Sequence, residues 1–436
     1  MILNISIKNY KSLKEETNFT LVAEASKSKE PNVFLQKLAS GKDEVRLLNT
    51  ALIYGANASG KTNLLKCLFE IINFIKDSRL KVGEEINIYE PFLFAKSMPD
   101  TPVIFSIEFA GKDEIKYKYD LSFNQSDIID ESLTYYPCGQ PKLLFERIVD
   151  NSPKSRIHSA KLGVDIKKRE IEVFTNQTVL SKFGDEIPDK IISEVFVYLI
   201  NIEVINACNT RKVSSLKNEI SGAFLRDERF KQRMDELIVF ADTGINSLKI
   251  KEVDEDEINF PENTPIKLKS LLYDNLKFQI AGIHDVYDKD KISGQKNLSF
   301  DQESHGIKTI FSLGGKLLQI LESGSIIFID EIETGLHPYL VKLLVRLFQN
   351  KRINSKNAQL IFTTHDTNLL DRTLFRKDQV WFTEKNEQGI TDLYSLQDFS
   401  DVREDTPFDK WYMAGKFGGI PNLKSLESLF VENEAK

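Results

Sequence analysis

Cysteine and histidine are scarce in this chain of 436 residues. Its three cysteines, Cys67, Cys138 and Cys208, lie far apart, form no CxxC pair and are odd in number, which excludes a disulfide framework and a zinc knuckle. A reducing compartment follows. Its five histidines, His158, His284, His305, His337 and His365, show neither HExxH nor HxxxH spacing, so they encode no metal cluster. Long apolar runs are missing too. The most apolar later stretch, Val195 to Ala207, is interrupted by Asn201 and Glu203, and the opening MILNISIKNYK lacks a basic segment followed by an apolar one. The expectation is a cytoplasmic protein with no membrane span and no export signal. Nor is there an excess of positive charge: 58 Lys and Arg against 65 Asp and Glu give a net charge of -7, which argues against coating nucleic acid with the whole surface. A local basic patch remains allowed. No internal repeat, low-complexity tract or sustained heptad occurs, so a solenoid and a long coiled-coil arm are excluded.

What is present is enough apolar material for large cores, 41% apolar against 28% charged residues. At roughly 150 residues per domain, the length suggests two or three units, or one body with an insertion. Ile2 to Ile7 alternates apolar and polar residues, and Leu47 to Tyr54 reads as a strand running into a glycine turn at Gly55. Lys61 to Lys76 then carries Leu64, Leu65, Leu68 and Ile72 at helical spacing. From Val103 to Phe123 and from Ser132 to Phe174, β-rich runs are punctuated by glycine and proline, as in antiparallel hairpins. Residues from about 186 to 245 are charged and helix-favouring, and Asp254 to Glu262 and Tyr287 to Gln295 read as loops. From Gly306, the residues Ile307, Ile310, Phe311, Leu317, Leu318 and Leu321 make one apolar helical face. A strand at Ile326 to Ile329, a helix at Leu340 to Phe348 and a strand at Leu360 to Thr363 follow. That alternation implies a parallel α/β sheet.

Gly55-Ala56-Asn57-Ala58-Ser59-Gly60-Lys61-Thr62 is a complete GxxxxGK[ST] loop between a strand and a helix, the context in which this pattern cradles phosphate. Its glycines let backbone N–H groups turn inward, and the helix N-terminus adds positive potential. Lys61 reaches the β and γ phosphates, and Thr62 ligates magnesium. The nucleotide-binding set is therefore Gly55, Asn57, Ser59, Gly60, Lys61 and Thr62, with Asn63 following. The run Ser325 to Glu331 is an apolar strand ending in two carboxylates with separate tasks: Asp330 holds the magnesium shell, and Glu331 acts as general base towards water. ATP and Mg2+ are the expected ligands.

Between Gly55 and Asp330 lie 275 positions, far more than a compact nucleotide-binding core needs, so a segment is inserted. In this the chain resembles the ABC-class ATPase heads of SMC, RecF and OLD-type proteins. The fold this implies is an α/β head with an antiparallel β lobe and a mixed, largely helical insertion. The divisions are 1–124 (first lobe with the glycine loop), 125–295 (insertion) and 296–436 (second lobe). By the same resemblance, Ser304 and Gly306 align with the serine and glycine of the family's signature motif, without its usual LSGGQ spelling. They would cap the γ-phosphate held by another subunit. Glu333-Thr334-Gly335-Leu336-His337-Pro338 looks like the loop that crosses between protomers, with His337 as an interface residue. His365, in Thr363-Thr364-His365-Asp366, resembles the switch histidine that senses the γ-phosphate, making Glu331 and His365 the catalytic pair.

Lys8 to Ser12 resembles the NFR stretch of SMC-like heads, where Lys11 either approaches the nucleotide or is an exposed strand-end lysine. No Q-loop glutamine stands in Tyr89-Glu90-Pro91-Phe92, the approximate region for one. The tail from Trp411 to Pro421 looks like that of AAA-family ATP-binding proteins of phage-resistance operons, the abortive-infection AbiL and RloA type.

That resemblance implies a homo-oligomer, a dimer or an assembly of dimers, with composite ATP sites. It would serve as sensor for a separately encoded effector such as a nuclease, since the roughly 70 residues after His365 are too few for a fused Toprim domain. A RecF- or SMC-like DNA-maintenance ATPase is the alternative. Between Lys142 and Glu170, eight Lys or Arg (Lys142, Arg147, Lys154, Arg156, Lys161, Lys167, Lys168, Arg169) face four acids, a modest excess expected on a solvated hairpin face.

Overall fold

Side chains alternate across a strand, so a strand buried on both sides sends its odd and even residues into two different cores. The strand Ile326–Asp330 does this: Ile326 and Phe328 enter one apolar cluster, and Ile327 and Ile329 enter the other. In this computed structural model, which describes residues 1–39, 44–77, 81, 83–149, 157–163, 170–258, 260–261 and 264–421, that strand lies inside a six-stranded sheet. The order is Glu203–Asn206, Ile326–Asp330, Gln359–Thr364, Thr50–Gly55, Val380–Lys385, Thr391–Ser395. The first five strands run parallel, and the sixth closes the edge antiparallel. Their carboxyl ends therefore fall on one side, where ligands bind in such sheets.

One core joins that sheet to the helix Lys61–Lys76 and to an eight-stranded antiparallel sheet. The helix forms as its spacing predicts, burying Leu64, Leu68, Ile71 and Ile75 along one face. The antiparallel sheet runs from Thr17–Thr20 through Ile2–Lys8 and then successive hairpins to Glu170–Phe174. It crosses the expected division at residue 124, since Lys116–Phe123 pairs antiparallel with Ile128–Tyr136, with one irregularity between Ser122 and Phe123. The other core packs the helices Thr210–Arg226, Glu228–Phe240 and Pro338–Gln349 on the opposite face of the parallel sheet. Among the described residues, no helix is long and apolar enough to cross a membrane.

Four sequence readings need correction. Leu47 to Tyr54 is two strands, Glu44–Leu48 and Thr50–Gly55, separated at Asn49, whose side chain donates to the Pro31 carbonyl. Tyr287 to Gln295 belongs to the hairpin Phe278–Asp288 and Lys291–Ser299, whose exposed outer half shows no apolar alternation. The helical text from 186 to 245 is interrupted by Glu203–Asn206, a four-residue strand of the central sheet. The helix beginning at Gly306 holds a π-helical turn, Ile310–Gly314, between His305–Thr309 and Gly315–Ser323. A side chain at Gly315 would lie 2.8 Å from Ile220, so the helix Thr210–Arg226 packs tightly against it.

The Lys142–Glu170 stretch is not a uniform basic face either. Lys154, Arg156, Lys167, Lys168 and Arg169 lie outside the described residues. Arg147 is fully buried and paired with Glu131 at 3.0 Å.

Candidate nucleotide site

The glycine loop leaves the strand Thr50–Gly55 beside its parallel neighbour, the strand Val380–Lys385. At Gly55 a Cβ would meet Thr383 Oγ1 at 2.4 Å, and at Gly60, whose φ is +110°, one would meet Thr391 Oγ1 at 2.3 Å. Only glycine fits both positions. Ser59 Oγ lies 2.6 Å from Thr383 Oγ1, and Thr391 Oγ1 lies 2.7 Å from both the Ser59 carbonyl and Ser12 Oγ. Asn63 Nδ2 donates to Ser12 Oγ at 2.6 Å. The Ala56 N–H donates to the Gly419 carbonyl at 3.0 Å, which brings the C-terminal tail onto the loop. Thr383 and Thr391 were absent from the sequence reading, and Ser12 and Gly419 entered it only within longer stretches, with no role of their own. Asn57 lies in the same loop.

Lys61 is 6% exposed and folds back to donate to the carbonyls of Gly55 at 2.6 Å and Ala56 at 3.0 Å. Burial pushes its ammonium below the usual lysine range, while Glu331, Asp330 and Glu333 pull it back up. Those acids stand at and just beyond the carboxyl end of one strand, Ile326–Asp330. Asp330, 3% exposed, accepts from Thr62 at 3.3 Å, Thr363 at 2.6 Å and Asn206 at 3.0 Å. Burial raises its pKa, and the hydroxyls of Thr363 and Thr62 oppose that rise. No lysine or arginine pairs with it among the described ion pairs.

Glu331 follows with φ 55°, a left-handed conformation that a non-glycine residue adopts at a cost. Its N–H is held by Thr363 Oγ1 at 2.8 Å, and its Oε2 accepts from the Cys208 thiol at 2.8 Å. Nothing in the sequence reading pointed to Asn206 or Cys208, because both sit in the segment read as an insertion.

His365 stands at the end of the adjacent strand. Its Nδ1 lies 2.8 Å from Glu333 Oε1, to which its N–H also donates, and Tyr54 Oη donates to its carbonyl. Glu333 Oε2 is buried without a partner among the described residues. His337 caps the helix Pro338–Gln349, accepting from the Tyr339 N–H at 3.2 Å, with its ring stacked on the exposed Tyr339.

Ser304 and Gly306 make no hydrogen bond to the glycine loop of their own chain among the described residues. Ser304 Oγ accepts from the Ile307 N–H at 3.2 Å, and a Cβ at Gly306 would lie 3.0 Å from the Gly335 carbonyl. This signature-like turn is thus packed against the Glu333–Pro338 loop. Lys11 makes an ion pair with Glu90 at 3.1 Å, and Lys66 reaches the same carboxylate at 2.9 Å.

Can these groups hold magnesium? No cluster of three or more His, Cys, Asp or Glu with metal spacing occurs among the described residues. Magnesium does not require one, because it keeps several waters and takes phosphate oxygens with one or two protein oxygens. Thr62 Oγ1 and Asp330 Oδ1, 3.3 Å apart, are close to the separation of about 2.9 Å between adjacent ligands of an octahedral Mg2+. The donor set fits.

Two comparisons bear on this arrangement. The family model described as "AAA domain, putative AbiEii toxin, Type IV TA system" matches residues 51–174 and 210–371, about two thirds of the chain. The interval between the two segments contains the strand Glu203–Asn206 and the turn after it. A putative autophagy-related protein 11 of Plasmodium falciparum (isolate 3D7) is 22% identical over 191 residues, 43% of this chain. The chain spans 13% of that relative's length.

Proposed function

The chain belongs to the AAA-domain family matched above, and on that premise we propose that it is an ATPase that closes on Mg-ATP between two of its own copies. The observation that carries this reading is the convergence, from 268 positions apart, of Thr62, in the first turn of the helix Lys61–Lys76, and Asp330, at the carboxyl end of its strand, next to the buried Lys61. Family membership supports nucleotide hydrolysis in general. The assignment of individual residues is ours.

Gly55, Asn57, Ser59, Gly60 and Asn63 shape and brace the loop, whose backbone N–H groups receive phosphate oxygens. Lys61 exchanges the Gly55 and Ala56 carbonyls for β and γ phosphate oxygens. Magnesium, held by Thr62 and Asp330, would neutralise charge on those phosphates. Glu331 takes the proton of the attacking water, held by its strained backbone and its Oε2 contact. His365, anchored to Glu333, would sense the transferred phosphoryl group. Ser304 and Gly306, outside the loop of their own chain, would complete the site of a partner copy.

The output is closure itself, reset by hydrolysis. The family description's reference to a toxin–antitoxin system supports a place in anti-phage abortive infection, as in the AbiL and RloA type. There the ATPase would govern a separately encoded effector such as a nuclease. The test is Glu331→Gln in the full chain: hydrolysis should fall by about a hundredfold or more, while Mg-ATP still drives self-association. Equal loss of both would overturn the composite-site reading. Salt-sensitive stimulation of hydrolysis by DNA would move the assignment to the RecF- or SMC-like alternative.

A further inference from the structure

The strand Glu203–Asn206 pairs with the strand Ile326–Asp330 along its whole length and ends level with it, Asn206 opposite Asp330. The turn that follows touches both carboxylates. Asn206 Nδ2 donates to Asp330 Oδ2 at 3.0 Å, the Ala207 N–H donates to the Asp330 carbonyl at 3.0 Å, and the Cys208 thiol donates to Glu331 Oε2 at 2.8 Å. The turn is itself braced, since the Cys208 N–H donates to Asn206 Oδ1 at 2.9 Å. We propose that Asn206 and Cys208 are positioning residues of the ATPase site, each fixing one of the two carboxylates. This rests on the ATPase reading above and deepens it.

The chemistry of each contact suits its partner. Asn206 is a neutral donor, so it orients Asp330 through Oδ2 without taking the place of a cation, and Oδ1 stays with Thr62 and Thr363. Cys208 is a weak, uncharged donor, and burial together with the contact to Glu331 raises its pKa, so it stays protonated. It occupies Oε2 of Glu331 and leaves Oε1 to accept a proton from water. A lysine in its place would pair with the base and quench it; an apolar residue would leave the side chain free to rotate. The same turn leads into the helix Thr210–Arg226, which packs on the helix that Ser304 opens, through Ile220 against Gly315. A shift of that helix would therefore be felt at both carboxylates.

The test uses the purified full chain, measuring steady-state Mg-ATP hydrolysis and equilibrium ATP binding. Cys208→Ala should lower kcat about tenfold, with KM and ATP affinity within about twofold. Cys208→Ser, which restores a donor of similar reach, should recover most of the lost kcat. A purely packing role would instead leave Ser no better than Ala, and that result overturns the proposal, as does wild-type kcat in Cys208→Ala. Should Cys208→Ala fail to fold, capping the exposed Cys208 with methyl methanethiosulfonate in a Cys138→Ser chain replaces it: lost kcat with retained ATP binding supports the proposal, and unchanged kcat overturns it. Asn206→Ala should raise the Mg2+ concentration needed for half-maximal rate several-fold, and an unchanged requirement overturns its assignment. If wild-type protein hydrolyses no ATP, the underlying ATPase reading fails; if it does and these variants match it, only this inference fails.

Discussion

Two buried carboxylates, one in the eight-stranded antiparallel sheet and one in the six-stranded, largely parallel sheet, are held in opposite ways. Glu131, in the antiparallel sheet, is 0% exposed and accepts four hydrogen bonds: from Arg147 at 3.0 Å, Tyr119 at 3.0 Å, Val179 N–H at 2.7 Å and Leu180 N–H at 3.0 Å. Its charge is met by a fully buried guanidinium and by the start of the helix Val179–Asp185. Asp330, in the parallel sheet, receives two hydroxyls and an amide and no paired cation among the described residues. A buried charge without a counter-charge is costly, so Asp330 is a poor stabiliser and a good receptor for a cation that comes and goes. Glu131 stabilises the fold, whereas Asp330 keeps a site ready at some expense to it.

The largest expected effect separates activity from stability at the parallel sheet. Asp330→Asn and Lys61→Ala should each reduce ATP hydrolysis by about a hundredfold or more while the thermal unfolding midpoint holds or rises, as enzyme assays and calorimetry would read. A large fall in the midpoint of Asp330→Asn would erase the contrast. At the antiparallel sheet the order reverses. Glu131→Ala leaves Arg147 buried and unpaired and should cost about 3–5 kcal/mol in denaturant titrations; a loss within 1 kcal/mol would mean that the ion pair carries little.

Smaller is the effect of Gly60→Ala, which must place a Cβ at φ +110° against Thr391 and should cost about 1–3 kcal/mol. Smallest is a pH signature. Because burial raises the pKa of Asp330 in the folded chain, the folded state holds that proton more tightly than the unfolded one. Wild-type stability, measured without magnesium, should therefore fall relative to Asp330→Asn as pH rises from the ordinary aspartate range, and the gap should close in acid. A gap that widened in acid would reverse the sign of the argument.

The glycine loop, its helix and the strands ending at Asp330 and Thr364 were legible because each is a contiguous run: a fixed motif, a 3.6-residue period or an unbroken apolar stretch. The strand Glu203–Asn206 was not. Four residues carry too little period, and their pairing is decided by a strand more than a hundred positions away. Arg147 misled for a related reason. Its charge counted towards a basic patch, but Glu131, sixteen positions earlier, and His158, whose Nδ1 lies 3.1 Å from its Nη1, draw it inside. The acids at the site were visible in sequence, whereas the neutral groups that orient them, Thr363, Asn206 and Cys208, are residue types that mark nothing until the sheet assembles.

The most direct measurement is the mass of the purified full chain in solution, by light scattering, with and without Mg-ATP, beside Lys61→Ala. The account predicts that Mg-ATP shifts the wild-type protein to twice its mass, or a multiple of it, and leaves Lys61→Ala unchanged. Wild-type protein that neither binds ATP nor changes mass would contradict it.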